Sequence, residues 1–331
     1  MGDCQSCPCC GNPSFGKYKY DNGDYYIGAL LDKKPHGKGT LYYKNNDIKY
    51  EGEFYKRKRQ GKGKFFYQDN KMFIIENSKK FFFKKGDYYI GEWSDDNMNG
   101  EGMIYLSNGT IKYNGHFVNN KFKGFGKYVY ENGKYYIGEF SDNMPHGEGK
   151  IYYDNGNIFT EGTFVNGELE GTGKLYFDNG GYFIGNYKEG KPNGKGKKYT
   201  KTGTMIFECG YINGKKEGIA KYYFTDGSQF IVNFLNNQMH GKGKLYQNDG
   251  KPLYEVTYVN GKQINIENKS NINFNNSSIR EFMDDIFHGN NQNDSISYYW
   301  KKTLFVFVFI YVHYKFINLM NIFNKINYII L

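Results

Sequence analysis

The chain has 331 residues, with 43 Gly, 34 Tyr, 28 Phe, five Cys and a formal net charge of +10. Disulfides are not expected in the N-terminal segment, which has no secretory apolar core, since cytosolic thiols stay reduced. The positive excess suits a cytoplasmic membrane leaflet or an acidic partner. Nucleic acid is a weaker third choice and is not expected as a partner, because the aromatics interleaved with basic residues read as buried and no recognised RNA- or DNA-binding module appears.

Residues 1–16 form the first segment. Met1-Gly2-Asp3-Cys4-Gln5-Ser6 fits the M-G-x-x-x-[ST] pattern for myristoylation at Gly2, with Cys4, Cys7, Cys9 and Cys10 close behind. One myristoyl chain holds a membrane only marginally, so palmitoylation of those thiols is the expected second anchor. Zinc is the competing use, since Cys4 and Cys7 have CxxC spacing. Adjacent Cys9 and Cys10 close poorly into one tetrahedral site, however, and no His lies nearby, so neither metal nor cofactor is expected.

Residues 17–262 repeat. The first glycine slot of each unit is Gly28, Gly52, Gly91, Gly115, Gly138, Gly162 and Gly185, then Cys209, Val232 and Val256. The steps alternate between 24 and 23 residues, apart from one of 39, so the true unit is a 47-residue pair. Residue identity agrees. Ile27, Ile90, Ile137, Ile184 and Ile231 precede the slot in odd units, and Glu51, Asn114, Glu161, Glu208 and Glu255 in even ones.

Each unit reads as two short strands. Tyr135–Phe140 and Gly149–Tyr153 are aromatic and β-branched runs, separated by turn-forming stretches such as Ser141–Gly147 and Asp154–Gly156. Glycine kept inside a strand implies a bent backbone or close approach of an aromatic ring, with Tyr and Phe forming a core of stacked ladders. The fold class is therefore all-β: an elongated single-layer β-hairpin solenoid of about nine to ten repeats, with mostly disordered tails. At about 4.8 Å per strand, each repeat advances roughly 9 to 10 Å.

Tyr135–Asn157 (YYIGEFSDNMPHGEGKIYYDNGN) and Tyr89–Gly109 (YIGEWSDDNMNGEGMIYLSNG) resemble MORN repeats, membrane occupation and recognition nexus. The resemblance runs from Tyr26 to about Lys262 and departs at Cys209, Val232, Val256 and Ala220, where glycine is replaced. It implies a non-catalytic hairpin array that scaffolds, dimerises and binds peptides.

A lysine follows the Gly-x-Gly pair, or its counterpart, in seven units: Lys64, Lys127, Lys150, Lys174, Lys197, Lys221 and Lys244. Equivalent solenoid positions align, so these form a row that anionic phospholipid could meet at about 1 kcal/mol per lysine. Alternate strand residues are polar in any case, which is the plainer account. Gly185–Pro192 imitates a P-loop, but Pro192 replaces the Ser or Thr needed for magnesium. His36, His146 and His240 recur too far apart to share a metal and are expected in turns.

Removing sixteen residues near 70–85 restores the 23-residue step, so this insertion is a bulging loop or a translated intron. Residues 263–300 read as an Asn- and Ser-rich linker with a short amphipathic helix at Ser278–Phe287. Residues 301–331 form an apolar tail, interfacial or an artefact of the gene sequence, in which Leu304–Val312 is too short to span a bilayer. The expected function is a non-catalytic, acylated scaffold or tether on the cytoplasmic face of a plasma or cortical membrane. It would meet anionic phospholipid and hold a protein partner in its groove. The alternative is a soluble rod, dimeric through its C-terminal repeats and gripping a cytoskeletal or motor peptide, or a regulatory component of a lipid-kinase system.

Overall fold

The computed structural model describes residues 13–68, 71–74 and 80–268. Gly2 and the four N-terminal cysteines, the Ser278–Phe287 helix and the apolar tail lie outside them. The chain divides into two compact units, residues 1–218 and 219–331.

The first unit holds β1 (Ser14–Lys19), β2 (Tyr25–Leu31), β3 (Lys34–Tyr42), β4 (Ile48–Tyr55), β5 (Lys58–Phe66), β6 (Lys71–Ile74), β7 (Lys80–Phe83), β8 (Tyr88–Ser94) and β9 (Asn97–Tyr105). It continues through β10 (Ile111–Val118), β11 (Lys121–Val129), β12 (Tyr135–Ser141), β13 (Met144–Tyr152), β14 (Ile158–Val165), β15 (Glu168–Tyr176), β16 (Tyr182–Lys188), β17 (Lys191–Tyr199) and β18 (Met205–Ile212). β19 (Lys215–Tyr223) contains the boundary. The second unit holds β20 (Gln229–Leu235), β21 (Gln238–Tyr246), β22 (Pro252–Val259) and β23 (Lys262–Asn268). No helix occurs among the described residues, and the strands reach from Ser14 to Asn268, somewhat beyond the expected 17–262.

The hairpin β12–β13 represents the rest. Asp142 and Asn143 both have positive φ, 50° and 72°, which makes a two-residue turn whose twist matches the flanking strands. The seven-residue turn expected over Ser141–Gly147 is thus two residues long. Met144–Gly147 belongs to β13, so His146 lies in a strand, as do His36 in β3 and His240 in β21. The ladder then shifts register between Gly138 and Phe140, and Gly147 takes φ 73° in that bulge.

The two glycines of Gly-x-Gly are there for different reasons. Gly147 supplies a left-handed backbone, whereas Gly149 leaves room for a ring. A Cβ on Gly149 would collide with the Tyr136 ring, and one on Gly138 would lie 2.6 Å from the Gly149 Cα. Gly28, Gly52, Gly91, Gly115, Gly138, Gly162 and Gly185 each face a glycine on both neighbouring strands. Close approach of ring and backbone, one of the two sequence expectations, explains the conserved spacing within the chain.

The core of the first unit is a chain of rings on one side of the sheet. Tyr26, Tyr50, Tyr89, Tyr113 and Tyr136 are fully buried. Each meets the aromatic two strands on: Tyr26 with Phe54 at 4.8 Å, Tyr50 with Trp93 at 5.4 Å, Tyr89 with Phe117 at 5.0 Å, Tyr113 with Phe140 at 5.3 Å, and Tyr136 with Phe164 at 5.1 Å. These contacts are edge-to-face, not the stacked ladder expected, which sets the positive ring edge on the negative face. Each hydroxyl donates to the carbonyl three residues on, as Tyr136 does to Glu139 at 3.0 Å.

The insertion does not disturb this register. β5 pairs directly with β8, Gly63 against Gly91, and β6 and β7 pair only with each other among the described residues. Tyr67 N–H donates to the Asp87 carbonyl at 2.9 Å, the same closing bond that Tyr153 makes with Asn157 at 2.8 Å. The extra residues thus leave as a hairpin, with Phe83 stacked on Tyr67 at 3.5 Å.

In the second unit β20, β21, β22 and β23 pair in succession, antiparallel. Phe230, Val232, Phe234, Leu245, Tyr254, Val256 and Tyr258 form its buried face.

Candidate interaction surface

Because side chains alternate along a strand, burying Tyr136, Gly138 and Phe140 turns Tyr135, Ile137 and Glu139 to the opposite face. Register then lines these residues up across the first unit. One row reads Ile137, Lys150, Glu161, Lys174, Ile184 and Lys197 on successive strands. The Ile and Glu signatures of odd and even repeats therefore share a face and alternate along it.

Five of the seven sequence-predicted lysines, Lys64, Lys127, Lys150, Lys174 and Lys197, occupy this row in the first unit, interleaved with carboxylates and rings. Lys64 lies 4.0 Å from the Tyr88 ring centre, Lys127 4.0 Å from Tyr135 and Lys174 4.0 Å from Tyr182. Lys150 pairs with Glu161 at 2.8 Å, and Lys197 stands opposite Ile184 and Glu208 in register. Lys221 lies in β19. In the second unit Lys244 pairs with Glu255 at 3.1 Å.

Glu161 joins the row to the neighbouring strands through Lys150 and Tyr176. Burial works to raise its pKa, but Lys150 and the Tyr176 hydroxyl, 2.7 Å away, hold it below the ordinary value. Lys150 is raised in return by its bond to Glu161. Burial, then the bond to Glu161, pushes the Tyr176 hydroxyl up to about 12.

Beside the lysine row runs a tyrosine row that the sequence reading missed. Tyr25 stacks on Tyr42 at 4.9 Å, Tyr88 on Tyr105 at 4.8 Å, Tyr135 on Tyr152 at 5.0 Å and Tyr182 on Tyr199 at 4.9 Å. A lysine caps each pair, with Lys17 over Tyr25 at 3.9 Å completing the set. All eight tyrosines are half-buried. The signal was present, since each pair is separated by 17 residues and begins three residues before the first glycine slot of units 1, 3, 5 and 7. Its meaning depends on the two-residue turn that sets the register.

A third row includes Glu92, Glu101, Glu139 and Glu148, with Phe125 opposite Glu139 and 67% exposed. At the start of the same face, an open cavity of about 660 Å³ is lined by Phe15, Ile27, Lys38, Thr40, Tyr42, Glu53 and Lys62. Among the described residues no group of His, Cys, Asp and Glu could hold a metal ion, and no helix is long and apolar enough to cross a membrane. What the face offers chemically is rings, cations and carboxylates in fixed register.

Comparison with known proteins matches residues 26–48, 50–72, 89–111, 113–135, 136–158, 161–182, 183–205 and 210–229 to the MORN repeat, and residues 239–260 to a MORN repeat variant. Together these span more than half of the chain. No curated protein matches. Among solved structures, a mutant TCP10 domain of Danio rerio CPAP is 13% identical, covering 75% of this chain and 100% of that one, with a TM-score of 0.30. A Bacteroides caccae protein of unknown function is 12% identical, covering 67% and 90%, with a TM-score of 0.17.

Proposed function

The chain belongs to the MORN repeat family, a family generally without catalytic activity and often associated with membranes, and from that membership we propose that it is a membrane-associated scaffold. Acylation at Gly2 and at the thiols of Cys4, Cys7, Cys9 and Cys10 anchors it to the cytoplasmic face. The open face of the first unit then holds a protein partner.

The observation that carries this reading is the fourfold recurrence of a lysine-capped, stacked tyrosine pair on the face away from the core. Half-buried tyrosines held by stacking lose little side-chain entropy on binding, which suits a protein contact. The lysine row favours protein over lipid too, because its cations lie beside Glu161, Glu255 and aromatic rings and present a mixed field.

Cell fractionation tests the anchor. Gly2→Ala, and separately Cys4, Cys7, Cys9 and Cys10 all changed to Ser, should move the protein to the soluble fraction. Retention of both variants on membranes would sink the acylated-scaffold reading. Unacylated full chain should fail to float with phosphatidylcholine–phosphatidylserine vesicles. Flotation lost on Lys127→Glu would instead make the lysine row a lipid surface.

A further inference from the structure

Resting on the reading of the open face as a protein contact, we propose that its β2–β5 end takes an acidic segment of the partner, with an apolar side chain set among its carboxylates. Unpaired lysines, a cavity and a turn whose residues are wrong for its backbone point there independently.

Lys38 and Lys62 are exposed and make no ion pair among the described residues. Each has a carboxylate opposite it in register, Glu53 for Lys38 and Glu92 for Lys62. Those carboxylates lean onto the strand beyond, over Gly61 and Gly100, where an added Cβ would collide with them. Gly61 and Gly100 take φ 63° and 104°, which suits glycine and keeps both places clear of a side chain. The partner that Lys150 finds in Glu161 is thus withheld from Lys38 and Lys62.

Both lysines border the open cavity of about 660 Å³, whose apolar lining is Phe15, Ile27 and Tyr42. Phe15 is 81% exposed, so an apolar side chain seated there removes surface from water on both molecules.

The turn between β4 and β5 favours charge over turn chemistry. Lys56 and Arg57 have φ 48° and 75°, a region suited to Gly, Asn and Asp. Each other two-residue hairpin turn among the described residues holds at least one of those, from Asp32 in the first to Asn260 in the last. Backbone held in this region against its residue type concentrates at functional sites. Arg57 N–H donates to the Pro35 carbonyl at 2.9 Å, which sets this turn beside Lys33 and Lys34 and extends the positive field along the edge of the face.

Charge also restricts the occupant. From β8 onward the row holding Glu92, Glu101, Glu139 and Glu148 repels an acidic segment and confines it to the basic end. Within this chain, residues 1–12 contain one acidic residue, Asp3, and residues 69–86 set five lysines against Asp69 and Glu76, so neither supplies the complement.

The test is fluorescence anisotropy of the full chain, produced without acylation, titrated into a labelled peptide of glutamates around one leucine. Saturable binding is expected. Lys38→Glu with Lys62→Glu should weaken it about tenfold or more, as should serine in place of the peptide's leucine. Because both lysines are exposed, the double variant should melt with the parent. Lys56→Asn should melt higher than the parent and still bind more weakly, since it relieves the turn while removing a charge. Binding that survives the double change, or that falls as far with Lys127→Glu outside the site, overturns the proposal. So does binding that emerges only after Glu281→Gln, Asp284→Asn and Asp285→Asn, which gives the site to this chain's own Ser278–Phe287. If binding fails while Gly2→Ala still releases the protein from membranes, this inference falls alone and the acylated scaffold stands.

Discussion

The first five repeats and the second unit answer the same packing problem in opposite ways. Tyr26, Tyr50, Tyr89, Tyr113 and Tyr136 each lie over a glycine two residues on and donate to the carbonyl after it, at 2.9 to 3.2 Å. In the second unit the ring residues are Phe230 and Tyr254, and the glycine slots hold Val232 and Val256, each 1% exposed. The Tyr254 hydroxyl is buried with no partner. Backbone space given to a ring in one unit is filled by an aliphatic side chain in the other. The lesson is that a glycine in the slot lets a tyrosine lie flat and bond across without requiring one, since Gly162 follows Thr160 and Gly185 follows Phe183 in the same unit.

The harshest way to break that contrast is Gly138→Val, which should cost about 3 kcal/mol or more, because the new side chain meets the Tyr136 ring and the Glu148 carbonyl. Accelerated hydrogen exchange confined to β12–β14 would register it better than a global melt, since repeat arrays lose stability locally. The reverse swap, Val232→Gly, should cost about 2 kcal/mol through the cavity left and the added backbone freedom. If the second unit tolerated it without loss, its valines would be incidental to the packing.

Smaller effects sharpen the picture. Gly147→Ala should cost about 1 kcal/mol by urea titration, since φ 73° disfavours a Cβ while the space beside the ring is untouched. Tyr136→Phe should lose about 1 kcal/mol with its hydrogen bond, whereas Tyr254→Phe should be neutral or stabilising. Alkali should strain the first unit's ring chain as well. Burial raises the Tyr26 hydroxyl to about 12 and the Tyr50, Tyr89, Tyr113 and Tyr136 hydroxyls above the ordinary value of 10. A raised folded-state pKa favours the protonated, folded form, so this stability is intact below pH 10 and drains away as pH climbs toward 12. Circular dichroism against pH should show loss beginning there, reduced in Tyr136→Phe.

The hairpin array, its 47-residue pairing and the foreign status of residues 70–85 were legible in the sequence because ring and glycine spacing survive as a pattern of letters. The lysine row was legible for the same reason. What surrounds those lysines was not, because Glu161 and the Tyr135–Tyr152 pair come into contact only once a two-residue turn fixes the register. A turn read as seven residues also misplaced His146. The strand β1 escaped because Gly16 lacks the ring that marks the other units.

The excursion between β5 and β8 has a consequence for how this chain can change length. A connection of 21 residues, 67–87, closes the same ladder that five residues, 153–157, close elsewhere. By chain statistics the longer tether adds only about 1.3 kcal/mol of closure entropy. Since Tyr67 and Asp87 pin its two ends together, cargo inserted between them draws on that slowly growing logarithm and leaves the neighbouring strands as they were. The turns between repeats are therefore places where the chain can gain whole segments while its register is kept.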